Sequence, residues 1–341
     1  MDRSWEVAVV GATGVVGREL VGALAQSGHP AERVRLLASE RSAGEELPFG
    51  DVTLEVEVAS ADALRGTRLV FLATPADVSR TLAQVAEAAG AVVVDTSRAF
   101  VSDLRTPVVF PRVPGAGLER RQGARRFRVP GPVSQALLAC LEPLRAAAGL
   151  REVHCSAFVS TSSAGKDGVA ELEQQTAGLL ASRELEPTHF PHRIGFNLVP
   201  QVGPFSEGSG STLEELAWRA ETGLVWGRAA PILDGTAVWV PTFYGDLVLI
   251  HARLGRAMTP AEARQLLRAA PGLKVLDVPA ERVYPMPMLV TADDAIHVGR
   301  IRAFAGSRDA LELVAAIDNA GATARLCLEV AELVTRAPVT N

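Results

Sequence analysis

In the first 110 residues, short apolar runs alternate with stretches whose apolar residues recur at helical spacing. Runs rich in valine and leucine are typical of strands buried on both faces, and intervening helices are typical of a parallel sheet. We therefore expect an α/β domain here. The predicted strands are residues 6–10, 34–38, 52–57, 69–73, 92–95 and 108–110, and the predicted helices are 17–25 and 78–89.

From residue 150 the pattern changes to longer alternating runs, which predict a mixed sheet with helices on one face. A polar stretch at 184–211 predicts a long loop. We expect a first domain of residues 1–131 with a returning terminal helix, about 319–341, and a second domain of residues 132–318. The predicted strands are 152–161, 237–243, 247–254, 273–277, 297–303 and 311–317, and the helices are 168–182, 212–223, 260–270 and 321–335.

Composition narrows the class of protein. With 341 residues, 48% of them hydrophobic, the chain is long enough for about two globular domains. A net charge of −5 offers no basic field for nucleic acid or anionic lipid, and the apolar runs are too short to span a membrane. The N-terminus lacks the pattern of a signal peptide, and the three cysteines show no disulfide framework. We expect a cytoplasmic protein without nucleic-acid or membrane partners.

A glycine motif lies between the first predicted strand and helix. Gly11 allows a sharp turn, Gly14 leaves room for a pyrophosphate at the helix N-terminus, and Gly17 lets helix and strand approach. We interpret it as a dinucleotide-binding turn, although a tight turn that binds nothing has the same pattern. The expected cofactor-binding residues at this point are Gly11, Thr13, Gly14, Val15, Val16, Gly17 and Ala73.

After the second strand, the segment ASERS bears on the choice of cofactor. Ser39, Arg41 and Ser42 offer two hydroxyls and a guanidinium, which suit a 2′-phosphate and favour NADP over NAD. Glu40 is the competing candidate for a ribose hydroxyl, and a solvated loop is the alternative. No metal site is expected, because His189 and His192 have no further ligands beside them.

Motifs along the whole chain follow the order of one family. They are VAVVGATGVVGREL, VRLLASERSAG, VVVDTSRAF, SSAGKDGVAELEQQT, FPHRIGFNLVPQVG, YPMP with HVGRIR, and AIDN. This set resembles the aspartate-semialdehyde dehydrogenase family. The resemblance implies a Rossmann-type parallel-sheet domain, a mixed α/β dimerisation domain like that of glyceraldehyde-3-phosphate dehydrogenase, and a homodimer.

The resemblance also implies thioester chemistry, which needs a thiolate nucleophile and a base. The family nucleophile lies in a Pro-Asn-Cys turn before a helix that ends in Leu-x-Pro-Leu. In this chain the Asn position is Gly131 and the Cys position is Pro132, with LEPL at 141–144 still in frame. Proline suits the first position of a helix, so the sequence predicts a helix start without a nucleophile.

The other family positions are altered as well. The base His corresponds to Asp246, and Glu215 alone keeps its family identity, as a contact to the substrate amine. On the nicotinamide side, a glycine pair is replaced by Pro75 and Ala76, and a loop is shortened to residues 320–322. At the remaining positions, this chain has a different residue from the family. Val101 matches the arginine that binds phosphate, Val159 matches the glutamine of the catalytic strand, Ala217 matches a lysine, and Trp239 matches the arginine that binds the substrate carboxylate.

A further interpretation, that catalysis has moved to other residues of this chain, has weaker support than the loss of catalysis. Cys140, Cys155 and Cys327 lie in apolar segments and are expected to be core thiols, and Ser134 has no base in its sequence neighbourhood. Asp246 is either a general base for different chemistry or a carboxylate bound by hydrogen bonds or an ion pair.

Three hypotheses follow. The first is a catalytically degenerate member of the family, similar to its Usg-type branch, that keeps the fold, the dimer and NADP(H) binding. The alternative is an active NADP-dependent oxidoreductase that acts on an aldehyde or other carbonyl compound without covalent catalysis and uses Asp246 or Tyr244 for proton transfer. The third is a structural protein that binds no nucleotide.

Overall fold

A computed structural model describes residues 2–101, 103–114, 123–291, 293 and 295–336 of the chain. It divides into two compact units, each with its own sheet. The first contains Met1–Gly131 together with Thr323–Asn341, and the second is Pro132–Ala322. Parts of the expected first domain, residues 115–122 and 337–341, lie outside the described residues.

The first unit is built on a seven-stranded sheet whose order is β3-β4-β2-β1-β5-β6-β7. All neighbouring pairs are parallel except β3 with β4, and the three adjacent strands β1, β5 and β6 are completely buried. This confirms the parallel sheet that the apolar runs predict. The strands are β1 (Val7–Val10), β2 (Val34–Ala38), β3 (Glu46–Phe49), β4 (Val52–Val58), β5 (Leu69–Leu72), β6 (Val92–Asp95) and β7 (Arg126–Arg128).

Two helices follow β1 and β5 in this unit, α1 (Val15–Gln26) and α2 (Ala76–Ala88). The buried face of α1 consists of Gly17, Leu20, Val21 and Leu24, which recur at helical spacing. A terminal helix, α8 (Asn319–Arg336), belongs to this unit from residue 323 onward.

The strand expected at 108–110 is wrong. Val108 forms only an isolated bridge with Arg128, and the strand beside β6 is β7. The sequence RFR of β7 gave little apolar signal, although Arg128 is completely buried. The short strand β3 was also missed, because alternation over four residues is too short to distinguish from a loop.

The second unit contains a six-stranded mixed sheet of order β11-β12-β13-β10-β8-β9. The pairs β8–β9 and β11–β12 are parallel, and the others are antiparallel. The strands are β8 (Leu150–Val159), β9 (Ile232–Trp239), β10 (Asp246–Leu254), β11 (Leu273–Val275), β12 (Ile296–Ala303) and β13 (Ala310–Ile317).

Helices cover one face of this sheet, as the sequence predicts. The nearly fully buried helix α3 contacts β10 and β13 and also packs against α5 and α6. The helices of the unit are α3 (Pro132–Ala148), α4 (Gly165–Leu180), α5 (Leu213–Trp226), α6 (Pro260–Ala269) and α7 (Pro287–Val290).

Strand β9 lies further towards the N-terminus than the expected range 237–243. It ends at Trp239 because Pro241 has no N–H with which to continue the ladder. Asp234 and Gly235 interrupt the apolar alternation at its start, which hid the strand in the sequence. Among the described residues, no helix is long and apolar enough to cross a bilayer.

Candidate functional site

Three glycines lie in the turn between β1 and α1 and in the first turn of that helix, and the structure explains each of them differently. Gly11 has a φ of 85°, and a Cβ there would overlap the carbonyl oxygen of Ala73. A Cβ at Gly17 would overlap the carbonyl oxygen of Gly11. Gly14 has an ordinary extended conformation, and its Cβ would lie 3.2 Å from the Gly11 oxygen, a tight contact but not an overlap. Packing therefore requires Gly11 and Gly17 more strictly than Gly14.

The N-terminus of α1 fits an anion. Gly14 is the N-cap residue, no side chain of the described residues caps the helix, and its first turn has no acidic residue. The first N–H groups of a helix lack partners within it, and together with the positive end of the helix dipole they favour a bound anion. Thr13 is buried, Val15 and Val16 are half-buried in the first turn, and Ala73 borders Gly11. The expected glycine-motif residues thus come together in one cradle at the uncapped N-terminus of α1.

The ASERS segment follows β2, which is the neighbour of β1, so both turns lie at the carboxyl edge of the sheet. Ser39, Glu40 and Arg41 are exposed there, and Ser42 is only 8% exposed. Within the described part of the chain, the Arg41 guanidinium has no carboxylate partner. Ser39 and Arg41 are thus accessible to solvent at this edge, whereas Ser42 lies further inside.

In the second unit, helix α3 begins at Pro132, directly after Gly131. A proline at this position fixes a helical φ and costs no hydrogen bond, because the first N–H groups of a helix lack partners within it. Pro132, which the sequence resemblance places at the nucleophile position, is therefore the first residue of a helix and has neither a thiol nor a hydroxyl.

The three cysteines are all free and buried, which confirms that they are core thiols. Burial raises the pKa of both Cys140 and Cys155 to about 12, and it raises the pKa of Cys327 as well. The hydroxyl of Ser134 is fully buried and has no hydrogen-bond partner among the described residues. Burial thus disfavours the thiolate form of all three cysteines, and the Ser134 hydroxyl has no base beside it among the described residues.

Asp246, at the start of β10, is fully buried and bound by serines. Its Oδ1 accepts hydrogen bonds from the backbone N–H of Ser160 at 2.8 Å and from the Ser160 hydroxyl at 2.9 Å. Its Oδ2 accepts a longer bond, 3.4 Å, from the Ser163 hydroxyl. Burial raises the pKa of Asp246 to about 7, and the bonds from Ser160 oppose this rise.

The serines connect Asp246 to the start of α8. The Ser160 and Ser162 hydroxyls lie 3.1 Å apart, and Asn319 Nδ2 donates to Ser162 Oγ at 2.9 Å and to Ser163 Oγ at 2.8 Å. Sequence reasoning missed this network, although the run of hydroxyl residues at 160–163 was a visible signal. Residues 320–322, expected as a shortened loop, instead form the first turn of α8.

Val159 and Trp239 lie opposite each other on β8 and β9, and both are buried. The Trp239 ring packs edge-on against Phe190, with centroids 5.2 Å apart. Neither side chain can bind a carboxylate through charge. Val101 lies in a turn of the first unit, where its carbonyl oxygen accepts a bond from Arg128 at 3.4 Å.

Glu215 keeps the family residue type, but both of its oxygens already bind backbone N–H groups. Oε2 accepts from Thr212 at 2.7 Å, which completes a capping box at the start of α5. Oε1 accepts from Ala237 at 2.9 Å, at the outer edge of β9. Glu215 therefore joins a helix end to a strand edge. Ala217, two residues further along α5, is buried.

On the first unit, Pro75 is the N-cap of α2, and the Thr74 and Ser79 hydroxyls lie 2.8 Å apart behind it. A proline at this point fixes the backbone where the family has a glycine pair. The described residues contain no cluster of three or more His, Cys, Asp or Glu side chains that could hold a metal ion.

Comparisons with known proteins match both units. A family profile described as "Semialdehyde dehydrogenase, NAD binding domain" matches residues 6–120, and "Semialdehyde dehydrogenase, dimerisation domain" matches residues 141–320. The chain is 34% identical to an aspartate-semialdehyde dehydrogenase of Bacillus subtilis over 310 residues, 89% of each chain. It is also 34% identical to a USG-1 protein homolog of Pseudomonas aeruginosa over 304 residues, again 89% of each.

Among solved structures, aspartate semialdehyde dehydrogenase II of Vibrio cholerae superimposes with a TM-score of 0.91 at 27% identity, covering 97% of this chain and 98% of that one. The fold and the matches define a two-domain α/β protein, with an NAD-binding Rossmann-like domain and a mixed-sheet dimerisation domain. The chain belongs to the semialdehyde dehydrogenase family. The fold class and the family expected from the sequence are thus confirmed.

Proposed function

We propose that this protein is a catalytically degenerate semialdehyde dehydrogenase that binds NADP(H) and acts through binding or assembly, as a cytoplasmic homodimer of the Usg type. The observation that carries the proposal is the start of α3. Pro132 occupies the position of the nucleophile, and the three thiols of the chain are buried with raised pKa values.

The loss of the base supports the same conclusion. A catalytic base must reach a proton on the substrate or the nucleophile, and Asp246 is instead fully buried beneath the bonds from Ser160. Because nucleophile and base act as one unit, loss of either removes most of the rate of the family reaction.

The residues expected to bind the substrate are also replaced, which is consistent with a loss of the family reaction. Trp239 stands where the family has the arginine that binds the substrate carboxylate. Val159 stands in place of the family's glutamine, and Val101 stands in place of the arginine that binds phosphate. Glu215 is held by Thr212 and Ala237. Of the two kinds of relative at 34% identity, the USG-1 protein homolog is therefore the better functional comparison.

Nucleotide binding is supported by the cradle in the first unit. The Gly14 turn and the uncapped start of α1 would bind the pyrophosphate, and Ser39 and Arg41 would bind the 2′-phosphate. Bound NADP(H) would supply hydride chemistry, whereas the residues of this chain bind its phosphates. We assign this role to the unit of residues 1–131 and the terminal helix, and we place the homodimer contact in the second unit.

The direct test is an assay with aspartate semialdehyde, NADP and phosphate, run beside the Bacillus subtilis relative as the positive control. We expect no turnover above the buffer rate. Turnover comparable to that of the relative would overturn the loss of catalysis.

Cofactor binding is tested separately by titration with NADPH and with NADH, followed by nicotinamide fluorescence. We expect tighter binding of NADPH, and Arg41→Ala is expected to weaken NADPH binding about tenfold without affecting NADH. Arg65→Ala is a matched control, because Arg65 is an exposed arginine in a different loop, paired with Asp62. Equal affinity for the two nucleotides would contradict the NADP assignment.

One observation favours the alternative, an NADP-dependent reductase of carbonyl compounds without covalent catalysis. Ser163 is an exposed residue, and its hydroxyl lies 3.4 Å from Asp246 Oδ2, so it offers a route for a proton to a carboxyl group whose pKa is raised to about 7. The expected sign of this activity is NADPH oxidation with an aldehyde that is lost in Asp246→Asn. NADPH oxidation that persists in the variant excludes Asp246 as the proton donor.

A further inference from the structure

A pocket of 480 Å³ lies entirely within the second unit, beside the C-terminal end of β9. It is bounded by Ala164, loop residues 189–191, Gln201, Gly203 and Trp239. Small-molecule sites usually measure about 300–1,000 Å³ and combine aromatic walls with a few polar groups, and this pocket has both properties.

The walls of the pocket are fixed without a ligand. Glu171, buried on α4, accepts hydrogen bonds from the backbone N–H groups of Thr188 and His189. Its neighbour Gln175 accepts from the N–H groups of Ile194 and Gly195, at 2.8 and 2.9 Å. Because buried side chains hold the backbone on both sides of residues 189–191, little ordering is needed when a ligand binds.

The segment that follows this loop in sequence is also held in place, at Val199. Val199 exchanges two backbone hydrogen bonds with Trp239, N to O at 3.1 Å and O to N at 2.8 Å. The His189 ring contacts Phe190 edge-on, and Phe190 contacts Trp239 in the same way. These three rings, each nearly perpendicular to the next, form an aromatic surface that can contact the face or the edge of an aromatic ligand.

Trp239 has an unused hydrogen-bond donor. Trp218 donates its indole N–H to Glu214 at 3.0 Å, and Trp226 donates to Glu142 at 2.8 Å. In contrast, the Nε1–H of Trp239 has no acceptor in the described part of the protein, and that nitrogen is reached by solvent. A tryptophan that is 93% buried normally satisfies its N–H, so this donor is available for a ligand acceptor.

The pocket lining contains no Asp, Glu, Lys or Arg. A charged ligand would lose water without gaining an opposite charge, which is unfavourable. The amide of Gln201 adds uncharged hydrogen-bonding capacity, since its one bond, to the Gly203 oxygen, is long at 3.4 Å.

We propose that the pocket formed by Trp239, Phe190, His189 and Gln201 binds a flat, uncharged aromatic molecule whose carbonyl or ring-nitrogen acceptor takes the Trp239 N–H. The site is independent of nucleotide binding, because all of its residues belong to the second unit. Failure of the NADPH titration would leave this proposal intact, and failure of this proposal would not affect NADPH binding.

The test uses the full-length protein labelled with ¹⁵N at its four tryptophans. The probe is 1-indanone, a flat neutral ketone, and indane is its match without the acceptor. We expect the Trp239 indole signal, assigned through its contacts with the Phe190 ring, to shift on addition of 1-indanone. The Trp218 and Trp226 signals should stay in place. Indane should bind about tenfold more weakly, the effect of one hydrogen bond.

A pair of variants adds a second measurement. Trp239→Phe keeps an aromatic ring but removes the donor, so its affinity for 1-indanone should fall about tenfold, to that for indane. Leu180→Ser, at an exposed position on α4, is the control and should bind 1-indanone as the parent does. If Trp239→Phe does not fold, the Trp239 signal of the parent protein decides the question alone.

Three outcomes would overturn the proposal. The Trp239 signal could remain unchanged at millimolar 1-indanone, or indane could bind as tightly as 1-indanone. Tighter binding of indane-1-carboxylate than of 1-indanone would show that the pocket takes an anion instead of an uncharged molecule.

Discussion

The carboxylate of Asp246 accepts two hydrogen bonds from a single residue, Ser160, through its backbone N–H at 2.8 Å and its hydroxyl at 2.9 Å. At the position where the sequence resemblance places the family base, we find a buried carboxylate that is bound to the end of the neighbouring strand β8. The hydrogen bonds continue through Ser162 and Ser163 to Asn319. Asp246 is therefore one member of a network of polar side chains. Its ionisation should influence folding more than catalysis.

The first prediction concerns pH and stability. Burial raises the pKa of Asp246 from 3.8 to about 7, so the folded protein binds a proton here that the unfolded chain has released between these values. The contribution of Asp246 to stability is therefore greatest at low pH and is lost as the pH rises through this window. Asp246→Asn removes this dependence, and its stability relative to the parent should increase by up to about 4 kcal/mol between pH 4 and pH 8.

Urea unfolding of both proteins at several pH values measures this difference. Asp95, whose pKa is also raised to about 7 by burial, is present in both proteins and cancels in the comparison. Parallel stability curves for parent and variant would show that Asp246 does not titrate in the folded protein within this window.

Glu215 provides a second prediction, because its carboxylate joins the start of α5 to the edge of β9. In Glu215→Gln one oxygen becomes an NH₂ group, which cannot accept a backbone N–H. We expect a loss of about 1–2 kcal/mol in the free energy of unfolding. NADPH binding should not change.

The control is Glu262→Gln at the start of α6. Glu262 forms the same capping box with Thr259, but it is exposed and has no contact with a strand edge. Its effect should be smaller than that of Glu215→Gln. Equal effects of the two variants would mean that the bond from Ala237 contributes nothing.

The parallel sheet was predictable because its central strands, such as β1 and β5, are buried on both faces and read as uninterrupted apolar runs. Strand β7 was not, because two of its three residues are arginines, and only tertiary contacts explain the burial of Arg128. Local sequence patterns carry the first kind of information and not the second.

The candidate site shows the same division. Pro132 at a helix start and the three core thiols follow from local sequence, and the structure agrees. The contact of Phe190 with Trp239 and the binding of Glu215 to the edge of β9 join segments distant in sequence. No periodicity signals such contacts, so the altered chemistry of the pocket could not be predicted.

A third prediction separates the two roles of the glycine turn. Gly14→Ala adds a Cβ that the fold nearly accommodates, so stability should change by less than about 1 kcal/mol. The added methyl group would occupy space next to the expected pyrophosphate, and NADPH affinity should fall about tenfold or more. Thermal unfolding and a fluorescence titration measure the two quantities.

Gly17→Ala is the contrasting variant, since its Cβ would overlap the backbone of Gly11. We expect a loss of at least about 1–3 kcal/mol in stability. If Gly14→Ala binds NADPH as the parent does, the turn is architectural and the third of the original hypotheses gains support.

The last prediction concerns the homodimer. On β10, Leu249 alternates with the buried Val248 and Ile250, and it is 40% exposed on the sheet face opposite the helices. Its partners across the sheet are Ser156 and Val314. A partly apolar sheet face of this kind, in a dimerisation domain, is expected to pack against a second copy of the chain. Leu249→Arg should therefore convert the dimer to a monomer of 36.0 kDa, measured by light scattering after gel filtration.

Leu180→Arg, at an exposed position on α4, should stay dimeric. Because a charge buried at an interface without a partner is strongly unfavourable, a dimer that survives Leu249→Arg places the contact on another surface.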